Sequence, residues 1–288
     1  MADSQASTPG RNGAASGPAA KANDKREVKI LMLHGYTQSG PLFRAKTRAL
    51  EKMLQKSLAP FRLVPVLVYP TAPNRLRPQD IPGYEAKDTG NADQNDDAAT
   101  VSDSWAWWRR DDASGAYRLL NEGMSSLATA IADAGGVDGV LGFSQGGAAA
   151  ALLAAAMEQQ PARPPPPPTA SGSAYDWSWV DAVRAANGHR PLRFAVVYSG
   201  FFAPPPELQW LYTPAIATPS LHYIGGLDTV VDESRCQALV ERFVDPVVLV
   251  HPGGHYVPIG KEWVMPLVAF VKKHAEEAGQ DTSSKTKI

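Results

Sequence analysis

Cysteine is nearly absent from this chain of 288 residues: Cys236 is the only one. One thiol cannot close an internal disulfide, so nothing argues for an oxidising compartment, and a cytoplasmic location is expected. Cys236 falls inside an expected helix and reads as a small buried apolar residue, not as a nucleophile. Net charge is almost absent too: 28 Lys and Arg balance 29 Asp and Glu, leaving −1. That balance gives no electrostatic footprint for nucleic acid or for an anionic membrane surface. No run of 18 apolar residues occurs, so no membrane span is expected. The first 26 residues mix Ala, Gly, Ser and Pro with charges and lack the apolar stretch of a signal peptide. They are expected to be a disordered tail, and 277–288 is expected to be a C-terminal tail. Asp3 and Asp24 interrupt the basic residues that a transit peptide would need.

What remains is ample for a folded core. Hydrophobic residues make up 44% of the chain, and the length fits one domain over 27–276. Short apolar runs of strand length alternate with helical segments, which favours a mostly parallel sheet flanked by helices.

One stretch is specific. Val140-Leu141-Gly142-Phe143-Ser144-Gln145-Gly146-Gly147 reads as a strand, a sharp turn carrying one serine, and an alanine-rich helix running to Met157. Gly-x-Ser-x-Gly between strand and helix is the nucleophile elbow of an α/β-hydrolase. The turn is too tight for side chains at 142 and 146, and it lifts the serine onto a strained tip at the positive end of the helix.

A hydrolase of this fold carries its partners in the chain order Ser, acid, His. Downstream, the strand-like Ser220–Gly225 leads into Gly226-Leu227-Asp228. An aspartate after a parallel strand sits at the carboxyl edge of the sheet, where sites of such folds collect. Asp232 directly precedes a helix beginning at Glu233 and reads as its cap, with the triad acid as its second reading. A further strand, Val247–Val250, ends in His251-Pro252-Gly253-Gly254-His255. His255 follows two glycines and can swing toward a serine; His251 has its direction fixed by the pleat. His222 is expected to pack inside its strand, and His274 to be solvated on the last helix. The candidate triad is therefore Ser144, Asp228 and His255.

The strand Val28–Leu33 runs into His34-Gly35-Tyr36-Thr37. A His-Gly turn after the first central strand supplies the second oxyanion donor in this fold. The expected donors are the backbone N–H groups of Gln145 and Tyr36, with Thr37 as the alternative to Tyr36.

Three segments break the strand–helix rhythm and are expected as loop insertions at the carboxyl edge. The stretch 74–104 is acidic, with Glu85, Asp88, Asp93, Asp96, Asp97 and Asp103 in no metal-loop spacing. The stretch 159–188 holds five consecutive prolines at 164–168 and reads as a stiff surface insertion; Tyr175, Trp177 and Trp179 suggest that it packs back. The stretch 202–218 is proline-rich and of the kind that covers a substrate. Trp107, Trp108, Phe201, Phe202, Trp210 and Tyr212 are the candidate lining of an apolar acyl pocket.

Seven pieces in one order resemble the FSH family of serine hydrolases. They are Leu33–Gly40, Tyr69–Pro73, Trp105–Trp108, Gly142–Gly147, Tyr198–Phe201, Gly226–Asp228 and Gly254–Pro258. The proline-rich insertion after Met157 departs from the family pattern. The resemblance implies an α/β-hydrolase fold and a cofactor-free and metal-free Ser144–His255–Asp228 site. It also implies a small-molecule acyl ester or thioester as substrate, taken as an alkyl ester or as a thioester on an acyl carrier protein. Medium-chain ester hydrolysis is the expected activity. Acyl transfer to an alcohol, and binding without turnover, are the competing readings.

Overall fold

A computed structural model describes residues 25–81, 103–159, 162–167 and 175–283. Six strands form one sheet: β1 Arg26–Leu33, β2 Leu63–Val68, β3 Gly139–Phe143, β4 Phe194–Tyr198, β5 Ser220–Gly225 and β6 Val247–His251. Their spatial order is β6-β5-β4-β3-β1-β2, and every neighbouring pair is parallel. Among the described residues, seven helices accompany them: α1 Gly40–Lys46, α2 Arg48–Leu58, α3 Leu120–Asp133, α4 Gln145–Met157, α5 Ser178–Ala186, α6 Glu233–Val240 and α7 Lys261–Ser283.

The period-two alternation of the strands builds two cores. In β1, Ile30 and Met32 face a cluster with Leu50, Leu54 and Leu58 of α2 and Val264, Leu267 and Val271 of α7. Leu31 and Leu33 face the opposite cluster, with Met124 and Leu127 of α3, the alanines of α4 and Val180 and Val183 of α5. In β4, Phe194 and Val196 join the first cluster, while Ala195 and Val197 join the second. Helix α4 is buried along its whole length. Its alanines let it press against β3 and β4 on one side while α5 crosses the other; a helix apolar all round belongs in a core.

Two details differ from the sequence-based expectation. His274 is buried, its ring edge-on to Phe270 at 4.5 Å, where a solvated residue was expected. It lies beside the apolar stripe of α7 formed by Val264, Leu267, Val271 and Ala275, so the helix carries it inward. The proline-rich insertion is more than a surface stretch. The Arg163 side chain is buried and donates to the carbonyls of Ala155 (2.9 Å), Leu211 (2.5 Å) and Pro214 (2.8 Å) and to Glu158 Oε2 (2.5 Å). Glu158 Oε1 in turn accepts from the Thr218 N–H (2.6 Å) and hydroxyl (2.7 Å). This ion pair, in which every guanidinium nitrogen and both carboxylate oxygens are bonded, fastens the insertion to the end of α4 and to the 202–218 loop. Glu85, Asp88, Asp93, Asp96, Asp97 and Pro168 lie outside the described residues.

Candidate active site

Ser144 joins β3 to α4 with φ 55° and ψ −118°, a strained backbone for any residue with a side chain. The flanking glycines explain how the chain achieves it. A Cβ on Gly142 would run into the Gly146 carbonyl, and one on Gly146 into the carbonyls of Leu33 and His34. Any side chain at either position would force β1, β3 and α4 apart.

The loops after β5 and β6 are zipped together by main-chain bonds. Gly226 N–H donates to the His251 carbonyl (2.8 Å) and Leu227 N–H to that of Gly253 (3.0 Å). Gly225 has no room for a Cβ against the carbonyls of Gly253 and Gly254. This pairing sets Asp228 beside His255. The His255 Nδ1 lies 2.7 Å from Asp228 Oδ2, and its Nε2 lies 2.9 Å from Ser144 Oγ. Asp228 Oδ1 accepts two backbone N–H bonds, from Val230 and Val231, each 2.9 Å. Burial opposes ionisation of Asp228, but the bonds from His255, Val231 and Val230 outweigh it and hold the carboxyl below its usual range. Asp232 instead caps α6, accepting from Arg235 N–H at 3.1 Å.

His251 is buried and accepts from Gly253 N–H through Nδ1 at 3.2 Å. His222 is buried in β5 with Nε2 3.1 Å from Ser220 Oγ. Cys236 is buried, and burial pushes its thiol up to about 12. Among the described residues, no group of three or more His, Cys, Asp or Glu side chains is placed to hold a metal ion.

The loop after β1 reaches the same corner. Gly35 lies against Phe143 and Ser144: a Cβ there would be 3.3 Å from Ser144 Cβ. The Thr37 N–H donates to the Trp105 carbonyl (3.0 Å), which occupies it. His34 is buried, bonded through Nδ1 to the Gly35 carbonyl (2.8 Å) and through Nε2 to Ala72 N–H (3.0 Å). Burial lowers its pKa to about 4, so the ring is neutral at pH 7.

The six candidate lining aromatics belong to one core cluster or pack against it. Trp107 and Trp108 are enclosed, Trp210 and Tyr212 nearly so, while Phe201 and Phe202 keep part of their surface. Arg235 stacks over Phe201 (4.8 Å) and donates to the Val230 carbonyl (3.2 Å), which places Phe201 near the Asp228 loop. Leu227 and Val230, on either side of Asp228, are 71% and 62% exposed, and Tyr256 beside His255 is 52% exposed. Sequence reasoning passed over these three. The available signal was their position next to two candidate catalytic residues in loops where apolar side chains have no core to join.

A parallel sheet carrying a strained serine at the β3–α4 elbow, with a histidine and an aspartate delivered by the last two strand ends, defines the chain as an α/β-hydrolase. It belongs to the family described as Serine hydrolase (FSH1), whose model matches residues 23–267. The chain is 30% identical to Family of serine hydrolases 3 of Saccharomyces cerevisiae, over 90% of this chain and 89% of that protein. It is 31% identical to Esterase OVCA2 of Danio rerio, over 85% of this chain and 97% of that protein. The solved Zea mays acyl-protein thioesterase 2 is 18% identical, covering 88% of this chain and 96% of its own, with a TM-score of 0.47. No helix among the described residues is long and apolar enough to cross a membrane.

Proposed function

We propose that this serine hydrolase cleaves carboxylic esters with apolar, medium-length acyl groups, using Ser144 as nucleophile, His255 as general base and acid, and Asp228 as the residue that orients His255. One observation carries the reading: the continuous chain of hydrogen bonds from Asp228 Oδ2 through both His255 nitrogens to Ser144 Oγ. In this mechanism His255 Nε2 takes the Ser144 proton as Oγ attacks the ester carbonyl. Asp228 keeps the proton on Nδ1 and stabilises the imidazolium that forms. The carbonyl oxygen becomes an oxyanion, held by the N–H groups of Gln145 and Tyr36; in comparable sites one such donor is worth about 3–4 kcal/mol. The ester C–O bond breaks, and the alcohol leaves with the proton from His255. Water then gives its proton to His255 and attacks the acyl-enzyme, releasing the acid and restoring Ser144.

The acyl chain is assigned to the partly open faces of Phe201 and Phe202 and the exposed Leu227 and Val230, with Trp107, Trp108, Trp210 and Tyr212 packed around them. Relatives named as esterases support an ester over other acyl compounds. The lone, buried Cys236 fits a cytoplasmic location. The test is a panel of p-nitrophenyl esters from acetyl to dodecanoyl, with one carrier-bound thioester and a competing alcohol. Faster turnover of an alkyl ester, with free acid as product, supports the proposal. Much faster thioester cleavage, or ester exchange onto the alcohol, overturns it in favour of a thioesterase or an acyltransferase.

A further inference from the structure

The two proposed oxyanion donors come from separate parts of the chain. Tyr36 lies in the loop after β1, and Gln145 opens α4. One segment, Trp105–Trp108, is bonded to both. On the loop side, its Trp105 carbonyl receives the Thr37 N–H (3.0 Å), and its Trp107 indole N–H donates to the His34 carbonyl (2.9 Å). On the elbow side, the partner is the side chain of Gln145 itself. Its Oε1 accepts from the Trp107 backbone N–H (2.9 Å), and its Nε2 donates to the Trp108 carbonyl (2.8 Å). The segment is braced from behind by Asn74, whose Nδ2 donates to the Trp107 carbonyl (3.0 Å), and by Gly123, where a Cβ would collide with that same carbonyl.

We infer that the Gln145 side chain is a positioning residue: it ties the elbow to the Trp105–Trp108 strap and so fixes the separation of the Tyr36 and Gln145 donors. This rests on the hydrolase reading above. The chemistry selects glutamine. The side chain is buried, so an amide without partners would be costly, yet here both ends are paired. One donor and one acceptor must be presented to consecutive residues at this reach. Glutamate offers no donor, methionine and leucine offer neither, and asparagine is one methylene shorter. The partners also settle which end of the amide is oxygen, since the Trp107 N–H can only donate and the Trp108 carbonyl can only accept. Without the tie, the strap and the loop it holds can drift relative to α4. Displacements of this kind penalise the charged transition state more than the bound ester.

The experiment compares Gln145→Met and Gln145→Glu with the parent, each titrated with a fluorophosphonate so that rates are expressed per reactive serine. The backbone N–H of residue 145 survives in both variants. The expected result is complete labelling, kcat lowered about 10- to 100-fold with KM changed less than about twofold, and weaker binding of a trifluoromethyl ketone by the same factor as kcat. Adding Trp107→Phe, which cuts the strap on its other side, is expected to cost less than the product of the two single effects. A merely structural glutamine would lower the melting temperature and leave kcat per titrated serine within about twofold of the parent, and that result overturns the inference. Where one variant fails to fold, the other carries the comparison. A parent protein that takes up no fluorophosphonate at Ser144 contradicts the hydrolase reading itself, whereas a labelled Gln145→Met of full rate contradicts only the role of the strap.

Discussion

Asp228 meets His255 with one carboxylate oxygen, at 2.7 Å, while its other oxygen is held by the N–H groups of Val230 and Val231. The backbone thus fixes the carboxylate plane, and the carboxylate fixes the imidazole. On the proposed mechanism, Asp228→Asn keeps the fold but presents the wrong tautomer to Ser144, and kcat falls by about 10⁴. Asp232→Asn, four residues on, alters only a helix cap and leaves kcat unchanged. Steady-state kinetics on the two variants checks this. The reverse pattern assigns the acid to Asp232.

Acyl preference is expected to depend on the open aromatic faces. Each buried methylene contributes about 0.8 kcal/mol, so two added carbons raise kcat/KM about tenfold until the surface is filled. Phe201→Ala is expected to flatten the rise between acetyl and octanoyl esters and to leave acetyl hydrolysis nearly unchanged. A flat profile in the parent rejects the apolar acyl site.

Stability should fall in mild acid because of two buried imidazoles. Burial lowers His34 to about 4 and His222 to about 3, against an ordinary value near 6.5. The folded protein therefore binds fewer protons than the unfolded chain below pH 6.5. The stabilisation is complete above that pH and is lost as the pH falls toward 4 and 3. The slope for each ring approaches about 1.4 kcal/mol per pH unit. Urea unfolding at pH 7, 6 and 5 tests this: the midpoint drops across the series, and His222→Gln makes the drop shallower. A midpoint independent of pH over this range contradicts the neutral, buried assignment.

The Arg163–Glu158 pair makes a sharper stability prediction. Arg163→Ala leaves Glu158 buried and stripped of its cation, which costs about 3–5 kcal/mol. Adding Glu158→Gln removes the stranded charge and is expected to recover part of the loss. Thermal unfolding of the two proteins measures both effects. No change on Arg163→Ala would mean that the insertion is not fastened at this point.

Local chemistry made much of the candidate site legible in the sequence. The elbow shows because Gly142 and Gly146 admit no side chain, and the His255 loop shows because Gly253 and Gly254 precede its histidine. β1 shows as the unbroken apolar run Ile30–Leu33, the pattern of a strand buried on both faces. The features that escaped are contacts between distant segments. Nothing near Gln145 indicates that its amide meets Trp107 and Trp108, 37 residues away in sequence for the latter. Arg163, surrounded by prolines, gives no sign that its donors reach Leu211 and Pro214. His274 looked solvated because the tail beyond it is polar, although its own helical position lies beside the apolar stripe. The enclosure of Trp107 is equally invisible, since composition cannot separate a ring that packs from one that binds.

The proposed role of Ser144 as nucleophile is open to covalent mapping. The parent protein is treated with a fluorophosphonate, digested, and the adduct located by mass spectrometry alongside Ser144→Ala. Ser39 and Ser199 serve as internal controls. Ser39 caps α1 and bonds Asp103 (2.6 Å), and the Ser199 hydroxyl is buried with no hydrogen-bond partner among the described residues. One adduct is expected, on Ser144, with labelling abolished and ester hydrolysis reduced by about 10⁶ in kcat in Ser144→Ala. An adduct on Ser39, Ser199 or any other residue, or undiminished hydrolysis by Ser144→Ala, would contradict it.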